Sequence, residues 1–266
     1  MLFKLQTSMK RYVSPLYLVL LCTLLGGCIT TTTGGFTEEA SPEKALEERL
    51  SLARQYIGEG NWEAAKRNLQ LAEAIDANNP EVYEAFGLVY QSTGEYELAE
   101  ENYTKAITKG NKEISRARNN YAVFLYSQER YKDAQEQLEY VIKDTLYTGR
   151  PNAFVNLGMC KLKQFDTQGA EEAFVRALAM DRTNQLALVE VAQIRFDAGD
   201  YTTASQFYAT YRAVARQQTA RALLLGTRLA RVEGDRDSEA SYALALSSRF
   251  PDSAEYQAYK RTVKGD

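Results

Sequence analysis

An alanine recurs along this chain at Ala65, Ala99, Ala134, Ala170 and Ala204, at spacings of 34, 35, 36 and 34 residues. About thirteen residues before each stands an apolar–small pair, and four residues after each stands an aromatic residue or a leucine. A sequence that repeats itself on this period does not collapse around one central core. Each copy is a supersecondary unit that buries its apolar face only against its neighbours. Such an array presents surface rather than chemistry, so the first implication is a binding protein.

The clearest copy runs from Pro80 to Glu113, with Tyr83, Phe86-Gly87, Tyr90, Gly94-Glu95-Tyr96, Ala99, Tyr103 and Ala106. Tyr83, Phe86 and Tyr90 follow the i, i+3, i+4 stripe of an amphipathic helix. Gly87 and Ala99 are small where two helices cross at close range, and Gly94 supplies the left-handed residue that ends the first helix. The preceding copy has Leu52-Ala53, Gly60-Asn61-Trp62, Ala65 and Leu69; the next has Tyr121-Ala122, Tyr131, Ala134 and Leu138. The fourth carries Leu157-Gly158, Ala170 and Phe174, and the fifth Val191-Ala192, Gly199-Asp200-Tyr201, Ala204 and Tyr208. A sixth, with Leu225-Gly226, Gly234-Asp235, Leu246 and Phe250-Pro251, keeps the outline and reads as slipped in register. These landmarks resemble the tetratricopeptide repeat, which implies an all-α fold: a right-handed superhelix of about six helix-turn-helix repeats. The repeats fall near 46–79, 80–113, 115–148, 151–184, 185–218 and 219–252.

Lys4, Lys10 and Arg11 precede an uncharged apolar stretch, Tyr12 to Leu25, that ends in Leu25-Gly26-Gly27-Cys28. The stretch is short for a membrane span and suits a secretory signal. Leu-Gly-Gly-Cys resembles a bacterial lipobox, which implies a signal peptide over 1–27, lipidation (including palmitate) of Cys28 and anchoring to a membrane by several acyl chains. Ile29-Thr30 after the cysteine, by likeness to Gram-negative sorting rules, implies the periplasmic face of the outer membrane. Residues 28–41, rich in Thr, Gly and Glu, read as a tether. Ser41-Pro42 reads as the start of the first helix of a repeat domain over 42–266. Without 1–27 the chain holds 29 basic and 35 acidic residues, a net of about −6. Cys160 is then the one thiol left unmodified, so no disulfide framework is expected; it reads as a buried small apolar residue.

The chain has no histidine, the commonest general base and metal ligand. It has no Gly-x-Ser-x-Gly, phosphate-binding or dinucleotide-binding glycine motif. The expectation is a protein that is not an enzyme, with no cofactor, no metal site and no small-molecule substrate. The 18 tyrosines are absorbed by inter-helix packing, and with a pI near 5.4 the chain is not expected to bind nucleic acid. Counting from the landmarks, first-helix positions not needed within a repeat line the concave face. Leu88, Asn119, Val123, Tyr126, Val155, Met159 and Leu162 are the partner-binding candidates, the last five forming an apolar cluster.

The third copy also carries Asn119-Asn120-Tyr121 and Phe124-Leu125-Tyr126. Together with the lipobox and the repeats, this stretch resembles the type IV pilus biogenesis and stability lipoproteins, the pilotins of the pilus secretin. The resemblance covers Cys28 to about Pro251; Lys161 and Thr167 depart from the aromatics usual in a repeat. It implies an outer-membrane lipoprotein whose partners are secretin subunits, which it brings to the outer membrane and helps to multimerise. The alternative is a periplasmic adaptor for outer-membrane protein insertion or cell-wall synthesis.

Overall fold

The computed structural model describes residues 41–110 and 114–264, so residues 1–27, the tether and Cys28 lie outside the described residues. Among the described residues the fold is entirely helical. Six antiparallel pairs follow one another: α1 (Pro42–Gly58) with α2 (Trp62–Ile75), α3 (Pro80–Thr93) with α4 (Tyr96–Lys109), and α5 (Ile114–Ser127) with α6 (Tyr131–Val141). Then come α7 (Arg150–Lys163) with α8 (Thr167–Met180), α9 (Gln185–Asp197) with α10 (Tyr201–Val214), and α11 (Ala220–Glu233) with α12 (Arg236–Arg249); a single helix, α13 (Ala254–Lys264), closes the array. No described helix is long and apolar enough to cross a membrane.

The turn inside each pair is the same device six times. The amide of Asn61, Glu95, Arg130, Asp166, Asp200 or Asp235 donates to the carbonyl five residues earlier, the closing bond of a Schellman motif, and the residue before it sits in the left-handed region. That residue is Gly60, Gly94, Gly199 or Gly234 with φ between +71° and +83°, but Glu129 (61°) and Phe165 (63°) in the third and fourth pairs. Asn61, Asp166, Asp200 and Asp235 then cap the next helix through side-chain oxygens that accept from Ala64, Gly169, Thr203 and Ser238, satisfying amides that have no partner within the helix.

Across each pair a small residue faces a large one sixteen positions on: Ala53/Leu69, Gly87/Tyr103, Ala122/Leu138, Gly158/Phe174, Ala192/Tyr208 and Gly226/Tyr242. The rings explain the glycines. A methyl carbon on Gly87 or Gly158 would stand 2.7 Å from Tyr103 Cδ1 or 2.5 Å from Phe174 Cε1, well inside van der Waals contact. Gly226 is pressed the same way, by the Tyr208 hydroxyl and by Tyr242 Cδ2 at 3.1 Å. The sixth pair is therefore in register, correcting the slipped reading. What departs from the pattern is Ser238, where the other pairs have the landmark alanine.

Candidate functional site

Successive first helices touch: α1 with α3, α3 with α5, α5 with α7, and α9 with α11. They form the inner wall of the superhelix, and the second helices form its outer layer. On this wall the structure opens a cavity of about 220 Å³ between α5 and α7. Val123, Tyr126, Asn156, Met159 and Leu186 line it, with Ala122, Leu138 and Cys160 beneath. Val123 is 40% exposed and Leu186 45%, so the rim offers apolar surface directly to solvent. Tyr126 stands edge-on to Tyr131, ring centroids 5.2 Å apart. Its hydroxyl pKa is raised, first by burial and then by Tyr131, Cys160 and Glu190, with Arg221 opposing. Glu190 and Arg221 lie two and three repeats farther on, so the curvature of the wall turns the later repeats toward this tyrosine.

Seven residues were expected to share one partner-binding face, and the structure separates them. Val123, Tyr126 and Met159 meet in the cavity. Asn119 sits at its polar margin, where Asn156 Nδ2 donates to Asn119 Oδ1 at 3.2 Å. Leu88 is half-buried against a core that runs from the second pair to the fourth, and Leu162 packs against one that runs from the fourth to the sixth. Val155 does not line the groove: it is 4% exposed and belongs to that core. Leu186 joins the cavity unannounced. It lies at the start of α9, two positions before the core residue Leu188, and only the curvature of the array carries it over the fourth repeat. Cys160 is buried beneath the cavity, and burial pushes its thiol up to about 12. Among the described residues no group of three metal-ligating side chains converges.

A second part of the wall is charged. Glu84, one helical turn before the groove candidate Leu88, is 2% exposed. Asn120 Nδ2 donates to its Oε1 at 2.6 Å, and Arg54 and Arg116 hold its Oε2 at 3.5 and 3.3 Å. The same two arginines reach Glu81 at 2.6 and 3.1 Å. Burial opposes ionisation of Glu81, but Arg54 and then Arg116 together hold its carboxyl below the usual range. Asn120, part of the Asn-Asn-Tyr stretch, thus ties the second repeat to the third. Tyr121, its neighbour, donates to Glu100 at 2.7 Å, and Arg130 joins the same carboxylate at 2.7 Å. Glu100 is thus a strut between the second and third pairs.

Stacked helix pairs with an apolar cavity on the inner wall define a tetratricopeptide-repeat scaffold. Sequence comparison agrees: the tetratricopeptide repeat family matches residues 80–108 and 161–229. The chain is 36% identical over 242 residues to the type IV pilus assembly protein PilF of Pseudomonas aeruginosa, an alignment that spans 91% of this chain and 95% of that one. A solved structure of Pseudomonas aeruginosa PilF superposes with a TM-score of 0.80, covering 83% of this chain and 99% of that one. A crystal structure of PilW, described as a widely conserved type IV pilus biogenesis factor, shares the fold at 24% identity with a TM-score of 0.69, covering 81% and 98% of the two chains. The chain belongs to the PilF family of type IV pilus biogenesis repeat proteins.

Proposed function

We propose that this protein is an outer-membrane lipoprotein, acylated at Cys28, whose inner wall holds subunits of the pilus secretin and so promotes their outer-membrane localisation and multimerisation. Membership of a type IV pilus biogenesis family supports the pathway, and the Leu-Gly-Gly-Cys28 sequence supports the anchor. The observation that carries the binding reading is the solvent-open apolar cavity of Val123, Tyr126, Met159 and Leu186. It has the volume to accept one or two apolar side chains of a partner, and desolvated anchors of that kind dominate interface energies. The role is that of a scaffold without catalysis.

The test is the double variant Tyr126→Glu/Met159→Glu in the full-length protein. Two carboxylates in the cavity lower secretin co-purification at least tenfold and reduce secretin multimers and surface pili, while far-ultraviolet circular dichroism keeps its helical signal. Glu136→Gln, on the exposed side of α6, changes none of these. Normal multimers in the double variant remove the cavity from the binding face.

A further inference from the structure

The inner-wall cavity is apolar, and among the described residues no charged side chain lines it. What borders it is a set of neutral amides. Asn156 Nδ2 donates to Asn119 Oδ1 at 3.2 Å, linking α7 to α5. Asn184, two residues before the cavity residue Leu186, donates through Nδ2 to Asn152 Oδ1 at 3.4 Å, linking α9 to α7. Asn184 also caps α9, its carbonyl accepting from the amide of Ala187. Among the described residues, Asn119 Nδ2, Asn156 Oδ1 and Asn152 Nδ2 have no hydrogen-bond partner. Turning both amides of the first contact over leaves the same remainder, one NH2 and one carbonyl. These contacts are weak ties. Where the wall is braced, at Asn120–Glu84 and Arg54–Glu81, the bonds are charge-assisted and 2.6 Å long. Two long neutral contacts hold little, but they present a donor and an acceptor to whatever enters the groove.

These free groups select the backbone conformation of the occupant. Asn152, Asn156 and Met159 fall on one stripe of α7, at i, i+4 and i+7, and the two asparagines stand about 6 Å apart along the helix axis. In an extended chain, residues that share a face repeat at about 6.6 Å, and their N–H and C=O groups are left unpaired. A side-chain amide matches such a peptide group both ways, as donor to its carbonyl and as acceptor from its N–H. An α-helix has already paired its backbone within itself and docks by an apolar face. Laid on this stripe, it would bury the three free amide groups with nothing to bond, which is unfavourable. A charged anchor would meet no counter-charge in the cavity. We infer that the occupant of the cavity is an extended segment of the partner: one apolar side chain seats among Val123, Tyr126 and Met159, and the backbone beside it is held by Asn119, Asn156 and Asn152. The inference rests on the reading of this cavity as the partner's site. The residues next to the seated one point away from the wall, so recognition lies in a single side chain and in peptide groups that every sequence has.

The full-length protein carrying Asn119→Leu/Asn156→Leu tests this. Leucine is close to asparagine in size and enlarges the apolar surface, so a partner that docks by an apolar helix face binds as well or better. The expected result is a loss of secretin co-purification of at least tenfold with the helical circular dichroism signal kept. Asn119→Gln/Asn156→Gln, which keeps both amides, loses no more than threefold. Photolysis of the full-length protein with p-benzoylphenylalanine in place of Met159 then marks the secretin segment in the cavity, which is made as a synthetic peptide. Methylating its backbone nitrogens one at a time lowers affinity for the full-length protein at least tenfold at alternate residues and little at those between; should the leucine variant lose its helical signal, this period alone decides. Undiminished secretin binding by a folded leucine variant overturns the inference. So does the absence of an adduct, a three- to four-residue period of sensitivity, or a helical signal gained by the bound peptide. The two readings fail separately: if Tyr126→Glu/Met159→Glu loses the secretin while the leucine variant keeps it, the cavity is the partner's site and the extended mode is wrong. If both keep it, the cavity is not the site and both readings fall.

Discussion

Gly158→Ala is the sharpest probe of how the helix pairs close. The added methyl lands 2.5, 2.7 and 2.8 Å from three carbons of the Phe174 ring, and Phe174 is fully buried with Ala170 and Ala177 in one core cluster. The ring has nowhere to retreat, so the upper end of the usual overpacking cost, about 3 kcal/mol, is the right scale. Alanine gains about 1 kcal/mol over glycine inside a helix, leaving a net loss of about 2 kcal/mol. In a domain of this length that lowers the melting temperature by about 4–8 °C. Gly58→Ala at the end of α1 is the control: a Cβ there meets no atom within 4 Å, and the variant is equal to or more stable than the parent. Adding Phe174→Leu to Gly158→Ala recreates the Ala122/Leu138 pair of the preceding repeat, and should restore about 0.5–3 kcal/mol relative to the sum of the single changes. Urea titration followed by circular dichroism reads the parent, Gly58→Ala, Gly158→Ala, Phe174→Leu and the double variant. If Gly158→Ala proves as stable as Gly58→Ala, steric exclusion by the ring is not why glycine stands there.

Three further outcomes follow from the same structure. Glu190 is 1% exposed, and burial raises its carboxyl pKa despite Arg221 at 2.6 Å; a raised carboxyl means that its charge destabilises the fold above the folded pKa. Glu190→Gln should therefore be more stable than the parent near neutral pH, and the difference should vanish as pH falls through the raised value toward the ordinary 4.5; a difference that grows on acidification contradicts this. Cys160, with its thiol near 12, reacts with maleimide at neutral pH at least a hundredfold more slowly in the folded protein than in urea, as mass spectrometry will show. Cys28→Ser abolishes acylation and moves the protein from the membrane pellet to the soluble fraction; retention in the outer membrane without labelled palmitate refutes lipid as the sole anchor.

The 34-residue period made the helix pairs legible because small residues at crossings and glycine at turns are dictated by geometry that every repeat shares. The sixth pair looked slipped only because Ser238 replaces the landmark alanine; Gly226, Tyr242 and the Asp235 turn keep their places. The binding face was harder to read. Whether a first-helix position faces solvent depends on the following repeat, and periodicity does not encode that angle. Val155 and Glu84 occupy groove positions by count, yet one is taken into the core and Arg54, Arg116 and Asn120 enclose the other. Leu186 entered the cavity for the same reason in reverse. Phe165 breaks the turn pattern in the sequence itself, but without the backbone angle it reads as an ordinary loop residue.

Helix α13 rests on α11 and α12, the place that the first helix of a seventh repeat would take. A solenoid can in principle grow without limit, because each last unit offers the next an unfilled apolar groove, and that groove accepts a repeat from another molecule as readily as one from its own chain. In this chain α13 takes that position, so the groove of the sixth pair is met from within the molecule. A repeat from a second copy would have to displace α13 to enter that groove, and the head-to-tail contact it would make is one that no symmetry closes.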